Sequence, residues 1–209
     1  MPFGMVQLSP DTRLEGWDGC SGYHNTDSII YGFSHTHLSG TGVGDYGDVL
    51  LMPTQGKVQF DNGYKTGADK GYASWFNKET ENASPGYYEV NLAEHDIDVR
   101  LTTTERVGIH EYTFNNEGNC NVIIDLEHRD QLTDHSLTVS DKNEIIGHRV
   151  SSAWATEQHL YFVIQTSRDF SGHELFGDGK SESVSNTKAA LKFDIKKGES
   201  VEIAVGISA

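Results

Sequence analysis

Short runs that alternate apolar and polar residues recur along the whole chain, and clusters of Gly, Asn, Asp and Ser separate them. The 3.6-residue period of an amphipathic helix is nearly absent. Clear examples are the predicted strands Tyr87–Leu92 and Ile97–Thr103, in which Tyr88, Val90 and Leu92, and Ile97, Val99 and Leu101, alternate with polar residues. Such segments fit strands with one wet face. Further strands are predicted at Ile29–Ser34, Asp48–Met52, Lys57–Phe60, Tyr72–Phe76, Val107–Phe114, Asn121–Leu126, Leu137–Ser140, Glu144–Val150, Leu160–Thr166, Ala189–Asp194 and Val201–Ile207. Turn chemistry at 115–119, 140–143 and 196–199 joins them. The spacing predicts an all-β, antiparallel sandwich of many strands in one domain over 1–209.

Charge narrows the partners. A net charge of −15 and a sequence pI near 4.9 repel phosphate backbones and anionic lipids, so nucleic acid is not an expected ligand. No apolar run reaches the ~20 residues of a membrane span. No basic, apolar leader opens the chain, which fits either a cytosolic protein or a trimmed start. Cys20 and Cys120 are too sparse for a disulfide framework, and two separate thiols are expected.

The first 55 residues break the strand rhythm. Glycines crowd them among Trp, Tyr and His, a composition that suits ordered functional loops. In the GWDGCSGYH stretch at 16–24, Trp17 could stack on the C–H face of a sugar while Asp18 and His24 bond its hydroxyls. On spacing alone, a core plug beneath the loop is favoured for Trp17, because Trp is highly buried on average. His35 and His37 stand two apart and would share a face in a strand. Such a pair can hold a metal or move protons, but no further ligand has telling spacing. Hydrogen-bonded structural or interface histidines are therefore the expectation. The GTGVG run at 40–44 lacks the Lys-Ser/Thr ending of a phosphate loop. Asp45-Tyr46-Gly47-Asp48 reads as a solvated turn rather than a calcium loop. Glu127-His128-Arg129-Asp130 reads as a salt-bridged strand end rather than a glycosidase acid pair. Trp154, Tyr161 and Phe162 read as core or interface aromatics, and no GxSxG nucleophile elbow is present.

Several of these motifs, in this order, closely resemble the amino-terminal domain of glycoside hydrolase family 92, the bacterial exo-acting α-mannosidases. They are PFGMVQLSPDT at 2–12, GWDGCSGYH at 16–24, GFSHTHLSGTGVGDYGD at 32–48, SPGYY at 84–88, LTTTERVGIHEYTF at 101–114, Ile124-Asp125-Leu126 with His128-Arg129-Asp130, and Trp154-Ala155 before Tyr161-Phe162. The resemblance implies a β-supersandwich of galactose-mutarotase-like type, followed in the whole enzyme by a carboxy-terminal α/α-barrel domain that this chain does not include. It implies calcium-dependent, inverting hydrolysis and a role in N-glycan degradation. The acid and base carboxylates and most calcium ligands would lie in the barrel, so this chain alone is expected to be inactive. This domain would contribute loops to an α-mannoside pocket, with Trp17 on the neighbouring sugar and Asp18, His24, His35 and His37 lining or supporting the site.

The resemblance also implies a secreted, periplasmic or cell-surface enzyme whose front end is missing here. The face turned to the barrel would be exposed and apolar, with Tyr23 and Phe33 as candidates for self-association. Two other readings differ in class: a stand-alone carbohydrate-binding module, and a mutarotase-like enzyme using His as acid and Glu as base.

Overall fold

The computed structural model describes residues 4–38, 40, 42–177 and 186–209. Pro2 and Phe3 of the opening motif, and Ser39 and Thr41 of the glycine-rich run, lie outside the described residues. Among the described residues the strands follow in chain order as β1 (Ser9–Asp11), β2 (Ile29–Ile30), β3 (Gly32–Ser34), β4 (Leu50–Gln55), β5 (Ser74–Trp75), β6 (Asn82–Ser84), β7 (Tyr87–Leu92) and β8 (Ile97–Thr103). They continue as β9 (Val107–Phe114), β10 (Gly118–Asp125), β11 (Gln131–Asp141), β12 (Glu144–Ser152), β13 (Gln158–Thr166), β14 (Gly172–Gly177), β15 (Asn186–Ile195) and β16 (Ser200–Ser208). Two antiparallel sheets take nearly all of them. One has the order β1-β3-β4-β10-β15-β14, and the other β11-β12-β13-β16-β9-β8-β7-β6. No described helix is long and apolar enough to cross a membrane.

Alternation places the core. In β8, Ile97, Val99 and Leu101 point inward, and in β13, Leu160, Phe162 and Ile164 do the same. β10 differs, because Cys120 to Asp125 are all buried and both faces of the strand are covered. The outer cover includes the segment after β4. Lys188 Nζ donates to the Phe60 carbonyl, the Phe60 ring stacks on Phe176, and the Tyr72 hydroxyl donates to Asp125. This corrects the strand expected at Lys57–Phe60. Its alternating apolar residues pack down on a sheet instead of pairing with one.

Burial sorts the remaining expectations, correcting those for Phe33 and for the Asp45–Asp48 turn. Phe33 is fully buried between the sheets, so it cannot belong to an exposed apolar face. Phe162 is core, whereas Trp154 and Tyr161 are exposed. Asp45 and Asp48 are buried, so their turn is not solvated. Cys20 and Cys120 are free thiols.

A hydrogen-bond chain bolts the sheets together. His35 Nδ1 meets the Val49 carbonyl at 2.6 Å, His35 Nε2 meets His110 Nε2 at 3.0 Å, and His110 Nδ1 meets the Tyr112 hydroxyl at 2.7 Å. A carbonyl only accepts, so His35 carries its proton on Nδ1. Its Nε2 must then accept from His110 Nε2–H, which leaves His110 Nδ1 to accept from Tyr112. Every link therefore has one direction, and both rings are neutral. Gly108 makes room for the His35 ring: a Cβ there would come within 2.7 Å of it.

Burial pushes the His35 pKa down to about 4, against the pull of the Val49 carbonyl. Burial and the neighbouring His35 hold His110 well below the ordinary range. The unfolded chain takes up a proton near pH 6.5 that folded His35 refuses until about pH 4. This stabilisation is whole above pH 6.5 and declines as the pH falls toward 4. Tyr112→Phe should cost about 1–3 kcal/mol at pH 7 in urea unfolding, because it strands a buried acceptor.

Candidate functional site

The front-end loops gather at one end of the sandwich, and buried charge organises them. Asp11, the last residue of β1, is fully buried. Its Oδ1 lies 3.0 Å from His37 Nε2, and its Oδ2 accepts from the Ser34 hydroxyl at 2.6 Å. His37 Nδ1 lies 2.7 Å from the Gln7 carbonyl. Carbonyl and carboxylate both accept only, so both ring nitrogens of His37 carry protons and the ring is a cation. Burial opposes that charge, but Asp11 and the Gln7 carbonyl outweigh it and raise the His37 pKa. Burial likewise opposes the charge of Asp11, yet His37 and His128 hold its carboxyl well below the usual carboxylate range. His128 Nε2 sits 3.3 Å from Asp11 Oδ2. Gly22 closes over the pair, since a Cβ there would lie 2.3 Å from Asp11 Oδ1.

Two clefts flank His37. The larger, about 610 Å³, runs past Ser9, Ser21, Tyr23, Asn25, Glu81 and Tyr88. The smaller, about 250 Å³, is lined by Met5, Thr36, Tyr46, Gln158 and Ala209 among others. The walls of the larger cleft are already paired. Glu81 Oε2 accepts from the Tyr23 hydroxyl at 2.9 Å and from Lys78 Nζ at 2.9 Å, and Oε1 accepts from the Tyr88 hydroxyl at 2.7 Å. Neither His37 nor Glu81 is thus free to serve as the acid and base of a mutarotase.

A second buried pair, Arg149 with Asp48, ties this end to β12. Arg149 also donates to the carbonyls of Leu126 and Arg129. Asp48 also accepts from the Thr36 hydroxyl and the Gln158 amide, each at 2.6 Å. Arg129 does not form the salt-bridged strand end expected of it. Its Nη2 donates to the Gly19 carbonyl at 2.8 Å, and its side chain lies against Gly44 and Gly47. Glu127 pairs instead with Lys188.

The five residues expected at the site do not converge. Trp17 opens a single 3-10 turn, Trp17–Gly19, and is 75% exposed, so it is no core plug. Part of its ring rests on Gly42, where a Cβ would come within 2.6 Å of it. Asp18 is exposed, 3.9 Å from Arg13. His24 turns back into its own loop, with Nδ1 2.9 Å from the Thr26 hydroxyl. His35 is fully buried in the chain that joins the sheets and can only support the site from behind. His37 lines both clefts, and the other four line neither. Asp11, Asp48, His128 and Arg149 also organise this end; the first three stand within the motifs quoted above, but their spacing does not reveal these roles.

The comparisons fit this geometry. The Glycosyl hydrolase family 92 N-terminal domain matches residues 1–208. The chain belongs to that family. A family GH92 α-mannosidase from Bacteroides thetaiotaomicron, solved in complex with mannoimidazole, superposes over 100% of this chain and 30% of its own, at TM-score 0.93 and 32% identity. Another GH92 glycosyl hydrolase superposes over 99% of this chain and 29% of its own, at TM-score 0.81 and 25% identity. An uncharacterized secreted glycosidase from Arthroderma benhamiae is 28% identical over 115 residues, 54% of this chain and 14% of that protein. This family 92 domain thus spans under a third of the length of its solved relatives.

Removing one partner of a buried pair leaves an uncompensated charge. Asp11→Asn should therefore destabilise the domain by about 3–5 kcal/mol in urea unfolding. The His37 contribution has its own sign. Its folded pKa is raised, so it stabilises fully below pH 6.5 and is lost as the pH rises through the folded value.

Proposed function

We propose that this domain forms one wall of an α-mannoside pocket whose other wall is a catalytic domain of the same enzyme. The observation that carries this reading is Trp17. A large apolar side chain held out into solvent on a glycine-rich turn is a poor use of an indole in a lone domain, and a good one beneath a sugar ring. The similarity to an α-mannosidase solved with mannoimidazole supports the choice of sugar. In this reading Trp17 stacks on the sugar next to the one released. Asp18 lies beside it, exposed and able to accept from a hydroxyl. His37 and Asp11 keep the adjoining cleft floor rigid.

Hydrolysis itself is assigned to the companion domain. An inverting glycosidase needs two carboxyl groups roughly 6.5–9.5 Å apart, with water between one of them and the sugar. Apart from the exposed Asp18, the acidic side chains lining or underlying this end are otherwise engaged. Asp11 and Asp48 are buried in ion pairs, Glu81 has both oxygens bonded, and Asp45 and Asp130 accept from the Ala155 and Tyr46 amides. Calcium is assigned to the companion domain as well. Among the described residues no three His, Cys, Asp or Glu side chains are grouped to hold a metal ion. Action outside the cell is consistent with the secreted glycosidase among the relatives.

Two measurements test the proposal. The isolated chain should release no mannose from α-mannosides and give no calorimetric heat with methyl α-mannoside. Binding by the isolated chain that Trp17→Ala abolishes would make it a stand-alone carbohydrate-binding module instead. In the enzyme joined to its catalytic domain, Trp17→Ala should cost about 2 kcal/mol, roughly thirtyfold in kcat/KM. An unchanged kcat/KM would remove Trp17 from the site.

A further inference from the structure

Trp17 is 75% exposed, so no cage of side chains sets its angles. Two stretches of main chain place the indole instead. One is its own turn, Trp17–Gly19, and the other is the loop whose Gly42 underlies the ring. Stacking on a sugar requires the indole plane to meet the ring face, so a shift of either stretch against the other misplaces it. The two are distant in sequence and need a tie.

That tie is Arg129, in the corner between β10 and β11. Its Nη2 donates to the Gly19 carbonyl at 2.8 Å, which fixes the last residue of the turn. Its side chain runs beneath the loop. A Cβ on Gly44 would come within 2.6 Å of Arg129 Nη2, and one on Gly47 within 2.8 Å of the Arg129 Cβ. Only glycine lets the loop lie this close on the guanidinium and its stem. Arg129 is itself buried and held from behind. Its carbonyl accepts from Arg149 Nη2, and the next residue, Asp130, accepts from the Tyr46 N–H of the same loop at 2.6 Å. A relay thus runs from the buried pair of Arg149 and Asp48 to the indole.

We propose that Arg129 is a positioning residue for Trp17, one guanidinium fixing the turn that carries the indole against the loop that seats it. The proposal rests on the reading of Trp17 as the sugar contact. Other contacts hold the turn, but they act within residues 13–27. The Gly19 carbonyl also accepts from the Gly22 N–H at 3.0 Å, and the Arg13 stem lies along Gly19 while its guanidinium pairs with Asp27. Without Arg129 the turn therefore keeps its shape and loses its placement. Arg129 Nη1 is buried without a partner among the described residues. A buried cation so incompletely met is costly, and its removal strands only a carbonyl that keeps its Gly22 bond. Arg129→Met is accordingly expected to fold.

The test has two arms. In the full 209-residue chain, NMR measures the heteronuclear NOE of the Trp17 indole N–H, its signal identified by loss in Trp17→Phe. Arg129→Met should lower that value toward the range of mobile side chains and leave the amides of β8 and β9 unchanged. In the enzyme joined to its catalytic domain, Arg129→Met should lower kcat/KM about tenfold. It should add nothing in the Trp17→Ala background, because the two residues act as one unit. Arg129→Lys keeps the charge but not the planar fork, so it should show the same two effects and serves if the methionine variant does not fold. The proposal is overturned if the indole of the folded variant stays as rigid as in the parent chain, or if the two kcat/KM losses add. If Trp17→Ala alone leaves kcat/KM unchanged, the sugar reading falls, and the indole NOE still decides whether Arg129 positions Trp17.

Discussion

The guanidinium of Arg149 is among the largest fully buried side chains of the molecule, and the loop end of the sandwich is built around it. A charge this deep is tolerated only if its partners are fixed and complete. Here they are Asp48 and two backbone carbonyls, Leu126 and Arg129. Asp48 is satisfied in turn by Thr36 and Gln158. The ion pair therefore draws the loop after β3, the corner after β10 and strands β12 and β13 to one point. The burial of such a pair adds little net stability, but its geometry leaves the loops one arrangement.

Glycine does the rest, and not by lending flexibility. Gly22 lets backbone close over Asp11 and His37, Gly42 seats the indole of Trp17, and Gly44 and Gly47 lie on Arg129. Each is a place where a side chain or ring occupies the space of a missing Cβ. Gly19, Gly22, Gly42, Gly44 and Gly47 are thus the imprint of large polar and aromatic groups packed directly against main chain.

Legibility followed the range of the interactions. β7, β8 and β9 are readable to the residue, because alternation is local and one face of each is wet. β1, β6 and β14 are not, since segments such as Asn82-Ala83-Ser84 carry no clear alternation and pair only because a neighbour lies beside them. Lys57–Phe60 alternates and yet is cover, a distinction made only by what it packs on. In the site, Trp17 stands out by its glycine setting. The roles of Asp11, Asp48 and Arg149 do not, because their partners come from distant strands and loops. The family motifs located the region, but burial separated His35, which joins the sheets, from His37, which floors the clefts.

The one-way chain from Tyr112 through His110 and His35 to the Val49 carbonyl has an evolutionary corollary. Reversing any link would set two donors or two acceptors face to face, and giving Gly108 a side chain would displace the His35 ring. His35, Gly108, His110 and Tyr112 therefore form one heritable unit. Their identities constrain each other across both sheets, so a single replacement carries a cost that a matched replacement of its partner can offset. The two sheets of the sandwich are in this sense coupled in residue choice as well as in space.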